Sequence, residues 1–159
     1  LDKRRQVAQG VRLRGPIGSR VQGSGYRGRV RKKMDKTAMR SYRDLIAYQK
    51  AYKLSLDIYK CTKNFPKEEL FGIVSQIRRC AVSIPCNISE GYCRNHRKEY
   101  LQFLSIAIGS CGELETLLSL SKDLAYLSSK DFETLYEARE EVARLLWKLA
   151  ASLRKQDTD

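Results

Sequence analysis

His96 is the one histidine of the chain, and it stands in a short run, "GYCRNHRKEY" (91–100), whose other members include three cations and two tyrosines. A histidine in a turn, with no nucleophile motif around it, reads more simply as an exposed side chain than as a general base. Glu113 and Glu115 are the other acid/base candidates. They are two residues apart on an expected helix, so their side chains diverge by roughly 200° and form no close dyad by themselves. The five cysteines (Cys61, Cys80, Cys86, Cys93, Cys111) are odd in number and contain no CxxC pair. That pattern suits free thiols in a reducing compartment, and so a cytoplasmic setting. With one histidine and no finger-like spacing, zinc is not expected; Cys80 and Cys111 read as small buried apolar residues. GxSxG, P-loop and HExxH motifs are absent. The expectation is a protein that is not an enzyme and uses no metal or cofactor.

The remaining chemistry is recognition. Arg78, Arg94, Arg97 and Lys98 could meet phosphates, and Tyr92, with Tyr100 nearby, could stack on bases. RNA or DNA is the ligand class this predicts; a merely solvated helix end is the competing reading. Arg78 is the better phosphate candidate of its adjacent pair, because Arg79 belongs to a second pattern. Gln76, Arg79, Ser83, Asn87 and Glu90 recur every three or four residues and form a polar seam along a helix. An antiparallel neighbour would bring Glu113 or Glu115 opposite Arg79. The seam is read either as a satisfied network or solvated face, or as the lining of a subunit interface or ligand groove. Burying one of its charges unpaired would cost about 3–5 kcal/mol.

Helices must position all of these residues, because from residue 43 onward the 3.6-residue period dominates and nothing alternates like a strand. The first helix is expected over about 43–62, with Leu45, Tyr52 and Tyr59 seven apart and Tyr48, Ser55 and Leu56 on the same side. "KNFPKEE" interrupts it; Pro66 suits a first helical turn, and Glu68 and Glu69 favour the positive end of the next helix. The second helix is expected over about 67–93, its apolar stripe being Ile73, Ile77, Cys80, Ile84 and Ile88. Pro85 removes one backbone donor and should kink this helix without breaking it, since the stripe resumes in phase at Ile88. A third helix starts near His96, with Asn95 as a candidate cap, and carries Tyr100, Leu104, Ala107, Cys111, Leu114, Leu118, Ser121 and Ala125. Gly109 and Gly112 weaken it locally. The fourth follows "AYLSSKDF", capped by Ser128 or Ser129. Phe132, Leu135, Val142, Leu145, Leu149 and Leu153 line its inner face, and Arg139, Glu140, Arg144 and Lys148 lie elsewhere on its surface. Four long helices with short links predict an all-α, up-down-up-down antiparallel four-helix bundle.

Charge divides the chain at about residue 40. Residues 1–40 hold 13 of the 31 Lys and Arg against Asp2 and Asp35, a net of +11, together with 6 of the 10 glycines. Residues 41–159 are nearly neutral at +2. The first 40 residues are expected to form a disordered basic leader, and residues 41–156 the bundle domain. Two purposes compete for the leader: an Arg/Gly arm that touches phosphates, or sequence upstream of a native start at Met34 or Met39. No apolar run approaches a membrane span and no signal-peptide core is present, so no membrane partner is expected. The nine tyrosines exceed what one narrow core seam needs, which points to a homo-oligomer or a protein-interaction surface.

The blocks "DLIAYQKA" (44–51), "FPKEE" (65–69), "QIRRCAVSIPCNISEG" (76–91) and "FLSIAIGSCGELET" (103–116) occur in this order. With them, residues 42–155 resemble the bacterial four-helix bundle family encoded in intervening sequences of the 23S ribosomal RNA gene. Cys80, Cys86 and Ser89 stand where the family more often has alanine-like residues. The resemblance implies a self-associating helical bundle. It also implies a fold similar to the accessory variability proteins of diversity-generating retroelements, which form pentameric barrels and bind nucleic acid and a reverse transcriptase. A pentamer is therefore one stoichiometry to expect, and a role around ribosomal RNA one setting.

Overall fold

The structure, a computed structural model, describes residues 41–94 and 96–155. The leader and the Asn95 cap expected from sequence lie outside the described residues. Four helices form: α1 (Ile46–Cys61), α2 (Ile73–Cys93), α3 (Arg97–Asp123) and α4 (Ser129–Lys155), with short 3-10 turns at Tyr42–Asp44, Thr62–Asn64 and Lys67–Leu70. Each packs on its sequence neighbours, and α1 closes the ring against α4. The fold is an all-α antiparallel four-helix bundle.

The links are fixed by local chemistry. Ser41 and Asp44 form a capping box around the first 3-10 turn, so α1 starts three residues later than its period suggests. After Pro66 the chain makes a 3-10 turn, and α2 begins only at Ile73, whose amide donates to Glu69 Oε2 at 3.1 Å. Glu69 thus satisfies an unpaired donor at the start of α2. Its other oxygen accepts from Tyr126 of the α3–α4 link at 3.3 Å. Ser128 caps α4, its hydroxyl accepting from the Asp131 amide at 3.0 Å. Ala125, expected on α3, instead lies past its end with φ of 58°.

The stripe of α2 is buried as expected: Ile77, Cys80, Ile84 and Ile88 are fully enclosed. So are Leu104, Ala107, Cys111, Leu114 and Leu118 of α3. Where α2 crosses α3, Gly91 permits the approach, since a Cβ there would stand 2.7 Å from Tyr100 and 2.8 Å from Phe103. By composition α3 is long and apolar enough to cross a membrane, contrary to the reading that no run approaches one. Its apolar face is instead packed between α2 and α4, and Glu113 and Glu115 reach those two neighbours.

The helix runs unbroken through Pro85, which is buried. Pro85 lacks the amide that would have bonded the Ala81 carbonyl. The Ser55 hydroxyl of α1 supplies the missing donor at 2.7 Å, with the Ala51 carbonyl of its own helix at 3.0 Å.

Two expectations about inward faces are corrected. In α1 the buried stripe is Ala47, Ala51, Leu54, Ser55 and Ile58. Tyr52, Leu56 and Tyr59 are about half exposed, and Tyr48 is only partly covered. The aliphatic stripe lies one residue behind the aromatic one, and its alanines let α1 sit close to its neighbours. In α4 the inner stripe is Leu135, Arg139, Val142, Leu146 and Ala150, with Leu145 and Leu149 only partly covered. Arg139 belongs to the interior, not the surface.

Candidate nucleic-acid interface

The basic candidates fall into two groups. Arg78 lies on α2 near its start, with its Nε donating to Thr62 Oγ1 at 2.9 Å and its guanidinium 4.9 Å above the Tyr59 ring. Arg94 follows the end of α2, 16 residues further on and about 24 Å away at ~1.5 Å per residue. The five recognition residues therefore do not form one site.

Arg94, Arg97 and Lys98 do converge, at the end of the bundle where α2 gives way to α3. Arg94 is held by Glu90 at 2.6 Å and lies 5.3 Å from the Phe103 ring centre. The Glu90 hydrogen bond, with burial opposing it, raises the Arg94 pKa, so its charge is secure but partly spoken for. Lys98 is exposed and Arg97 half-covered. Tyr92 is not an open stacking platform: it packs edge-on against Tyr42 at 6.3 Å and Tyr100 at 6.2 Å. Burial, then the nearby Tyr92, pushes the Tyr100 hydroxyl up to about 12, and the oxygen has no hydrogen-bond partner among the described residues. His96 occupies the position before α3, exposed, with no side-chain cap bond.

Antiparallel topology brings two further cation groups to this end. Arg43 precedes α1, and Arg154 and Lys155 end α4. Among the described residues, six cations thus stand at this end against Asp44, Glu90 and Glu99.

The polar seam exists but is mostly wet. Gln76, Arg79 and Glu90 are exposed, and Ser83 and Asn87 half-covered. Glu113 is the partner of Arg79, at 3.1 Å, with the side chains 68% and 48% exposed. A pair so solvated contributes about 0–1 kcal/mol, and the cost of a stranded buried charge does not arise. Ser83 and Ser110 share a hydrogen bond at 2.9 Å between α2 and α3, and the Asn87 amide donates to the Ser83 carbonyl at 2.7 Å.

The buried charge lies elsewhere: Arg139 is enclosed, while its carboxylate partners Glu115 and Glu140 are 41% and 44% exposed. Glu115 turns to α4, where Arg139 Nη2 stands 2.6 Å from Glu115 Oε2 and Nη1 donates to Glu140 at 2.7 Å. Tyr136 donates to Glu115 Oε1 at 3.1 Å, and its ring centre lies 4.7 Å from the guanidinium. Only 5% of the Arg139 side chain is exposed. A signal for it was present: position 139 fills the gap between Leu135 and Val142 on the inner stripe. Burial pushes the thiols of Cys80 and Cys111 up to about 12, as suits small core residues. No cluster of three His, Cys, Asp or Glu side chains forms among the described residues.

These elements define a helical-bundle protein of the antiparallel four-helix class, with a basic end and an aromatic flank. The chain belongs to the 23S rRNA-intervening sequence protein family, whose model matches residues 43–148. Its fold is similar to the crystal structure of a protein of unknown function from the S23 ribosomal protein family of Bacteroides thetaiotaomicron. That similarity has a TM-score of 0.63 at 24% identity and covers 67% of this chain and 96% of the other. No curated protein matches the sequence.

Proposed function

We propose that this chain is a non-enzymatic, self-associating bundle of the cytoplasm, without a membrane partner, that binds RNA through the end where α2 meets α3. The observation that carries the reading is the gathering of Arg43, Arg94, Arg97, Lys98, Arg154 and Lys155 at that end, against three carboxylates among the described residues. Cations from four chain segments meeting at one surface raise its potential in a way no single helix does. Arg78 is not part of this surface. Tyr92 acts behind it, holding the link from α2 to α3 in place.

The test is a salt series with the full chain and an RNA hairpin. Affinity should fall steeply with salt, and replacing Arg97 and Lys98 with alanine should lower the slope of log affinity against log salt by about one per lost phosphate contact. An unchanged slope removes this end as the contact.

One observation favours a second reading, an oligomeric scaffold without nucleic-acid contact: the aromatic stripe of α1 that the fold leaves uncovered. Assembly that proceeds equally with and without RNA, and retains no RNA at low salt, would select it.

A further inference from the structure

An open hollow of about 760 Å³ lies on the outer side of α2 near its start, and its lining includes Tyr59, Leu70, Phe71, Val82, Arg78 and Arg79. Phe71 is 91% exposed, more than any other large apolar side chain of the described residues. The bundle makes no use of this ring, yet the backbone that carries it is held in place. The Gly72 amide donates to the Glu69 carbonyl at 3.0 Å, and the Ile73 amide to Glu69 Oε2 at 3.1 Å. A Cβ at Gly72 would stand 2.5 Å from that same carboxylate oxygen, so glycine follows Phe71 because the cap folds back over the turn. A fixed turn thus presents an aromatic ring to solvent.

Arg78 lies seven residues further on, two turns and about 11 Å along the helix. Its guanidinium is fixed from behind, 4.9 Å from the centre of the Tyr59 ring and bonded through Nε to Thr62 Oγ1 at 2.9 Å. Neither partner is an anion. Among the described residues no carboxylate pairs with Arg78, so its charge and its two Nη groups remain for a ligand. Arg79, beside it, meets Glu113 only through solvated side chains, 68% and 48% exposed. The cationic lining selects an anion, and the apolar remainder selects an anion with a flat, weakly hydrated body. A neutral apolar peptide would strip water from Arg78 and return no charge for it.

We infer that this hollow takes an unpaired nucleotide of an RNA strand, with its base stacked on Phe71 and its phosphate on Arg78. Stacking on an aromatic ring and pairing with a cation are the two interactions by which single strands are held. A planar guanidinium already oriented by a ring and a hydroxyl suits two-pronged contact with phosphate oxygens. A base inside a duplex is stacked on both faces and has none to offer Phe71, so the contact selects unpaired RNA. The site is separate from the end where α2 meets α3, since Arg94 lies 16 residues and about 24 Å further along α2. It rests on the RNA reading of the proposed function and adds to it a preference for single strands.

The test titrates the full chain with a short labelled oligouridylate and, in parallel, with a blunt RNA duplex. Phe71→Leu keeps the apolar bulk and loses the stacking face. It should weaken oligouridylate binding about five- to a hundredfold, with the salt slope and the duplex affinity unchanged. Phe71→Tyr should bind as wild type does. Arg78→Gln should lower the slope of log affinity against log salt by about 0.7, the share of one phosphate on a single strand. Phe71 is so exposed that its variants should melt at the wild-type temperature, which separates lost binding from lost folding. A 4-thiouridine in the strand should crosslink to the tryptic peptide Glu68–Arg78, a readout that needs no variant. If Phe71→Leu binds oligouridylate like wild type and the crosslinks fall outside this peptide, the contact is overturned, while a slope that still responds to Arg97 and Lys98 keeps the proposed function. Failure of both RNAs to bind at low salt overturns both. Uridine monophosphate binding as tightly as the strand makes this a free nucleotide's site and overturns the strand contact. A polyglutamate peptide that abolishes the crosslink at equal charge makes it a general anion face and overturns base recognition.

Discussion

The Ser55 hydroxyl stands in for the amide that Pro85 lacks, and it does so across a helix boundary, 2.7 Å from the Ala81 carbonyl. The two residues should therefore be coupled. Ser55→Ala leaves a buried carbonyl short of its donor and should cost about 1–3 kcal/mol in chemical denaturation. In a Pro85→Ala background the helix supplies its own donor, so the same change should cost distinctly less; equal costs would show that the hydroxyl is not the replacement. Arg139 offers a second residue-scale test. Glu115→Ala leaves the buried guanidinium with Glu140 as its one carboxylate and should destabilise by about 1–3 kcal/mol. Arg139→Met removes the charge and keeps most of the volume, and should cost less than Glu115→Ala in the same melt. Neither residue's role was legible as such. The proline was visible at once, but its partner lies 30 positions away in sequence, and Arg139 was assigned to the surface by its charge although its phase was that of the core.

Two helices carry residues that work against their own helicity, α2 with Pro85 and α3 with two glycines. Gly109 and Gly112 are both exposed, and a Cβ at either would meet nothing within 4 Å. Their cost is not recovered by close packing, so Gly109→Ala and Gly112→Ala should each stabilise by about 0.5–1 kcal/mol, read as a higher denaturation midpoint. Gly91 is the opposite case. Alanine there meets Tyr100 at 2.7 Å and the Phe103 Cβ at 2.8 Å, and the second contact cannot swing away because it sits beside the backbone. Gly91→Ala should cost about 1–3 kcal/mol. In α1 two apolar stripes compete for the interior, and the aliphatic one wins. The inner face that the period offers to the tyrosines goes to the alanines, Leu54 and Ile58, and Tyr52 and Tyr59 stay about half exposed.

For the whole molecule, pH should act from the alkaline side. Cys80 and Cys111, whose ordinary value is 9.0, and Tyr100, ordinarily 10.0, are all held to about 12 by burial, which disfavours their charged forms. Each is protonated in the fold where the unfolded chain would ionise. Their contribution is fully present below about pH 9 and is lost as pH rises from there toward 12. A melting temperature that is level to pH 9 and then declines is the expected profile, and Cys111→Ala should flatten part of the decline. Exposed Cys86 and Cys93 should react with a thiol reagent in the native state, and Cys80 and Cys111 only on unfolding. The sequence by itself determined four helices, their order, and the buried stripes of α2 and α3, because a 3.6-residue period is written locally and needs no partner to be read. It also narrowed the cap of α4 to Ser128 or Ser129 and the partner of Arg79 to Glu113 or Glu115. Only the tertiary structure decided which stripe of α1 turns inward, which glutamate faces Arg79, and that Arg139 is enclosed. Each of these depends on burial summed over four packed helices, and that sum is a property of no single segment.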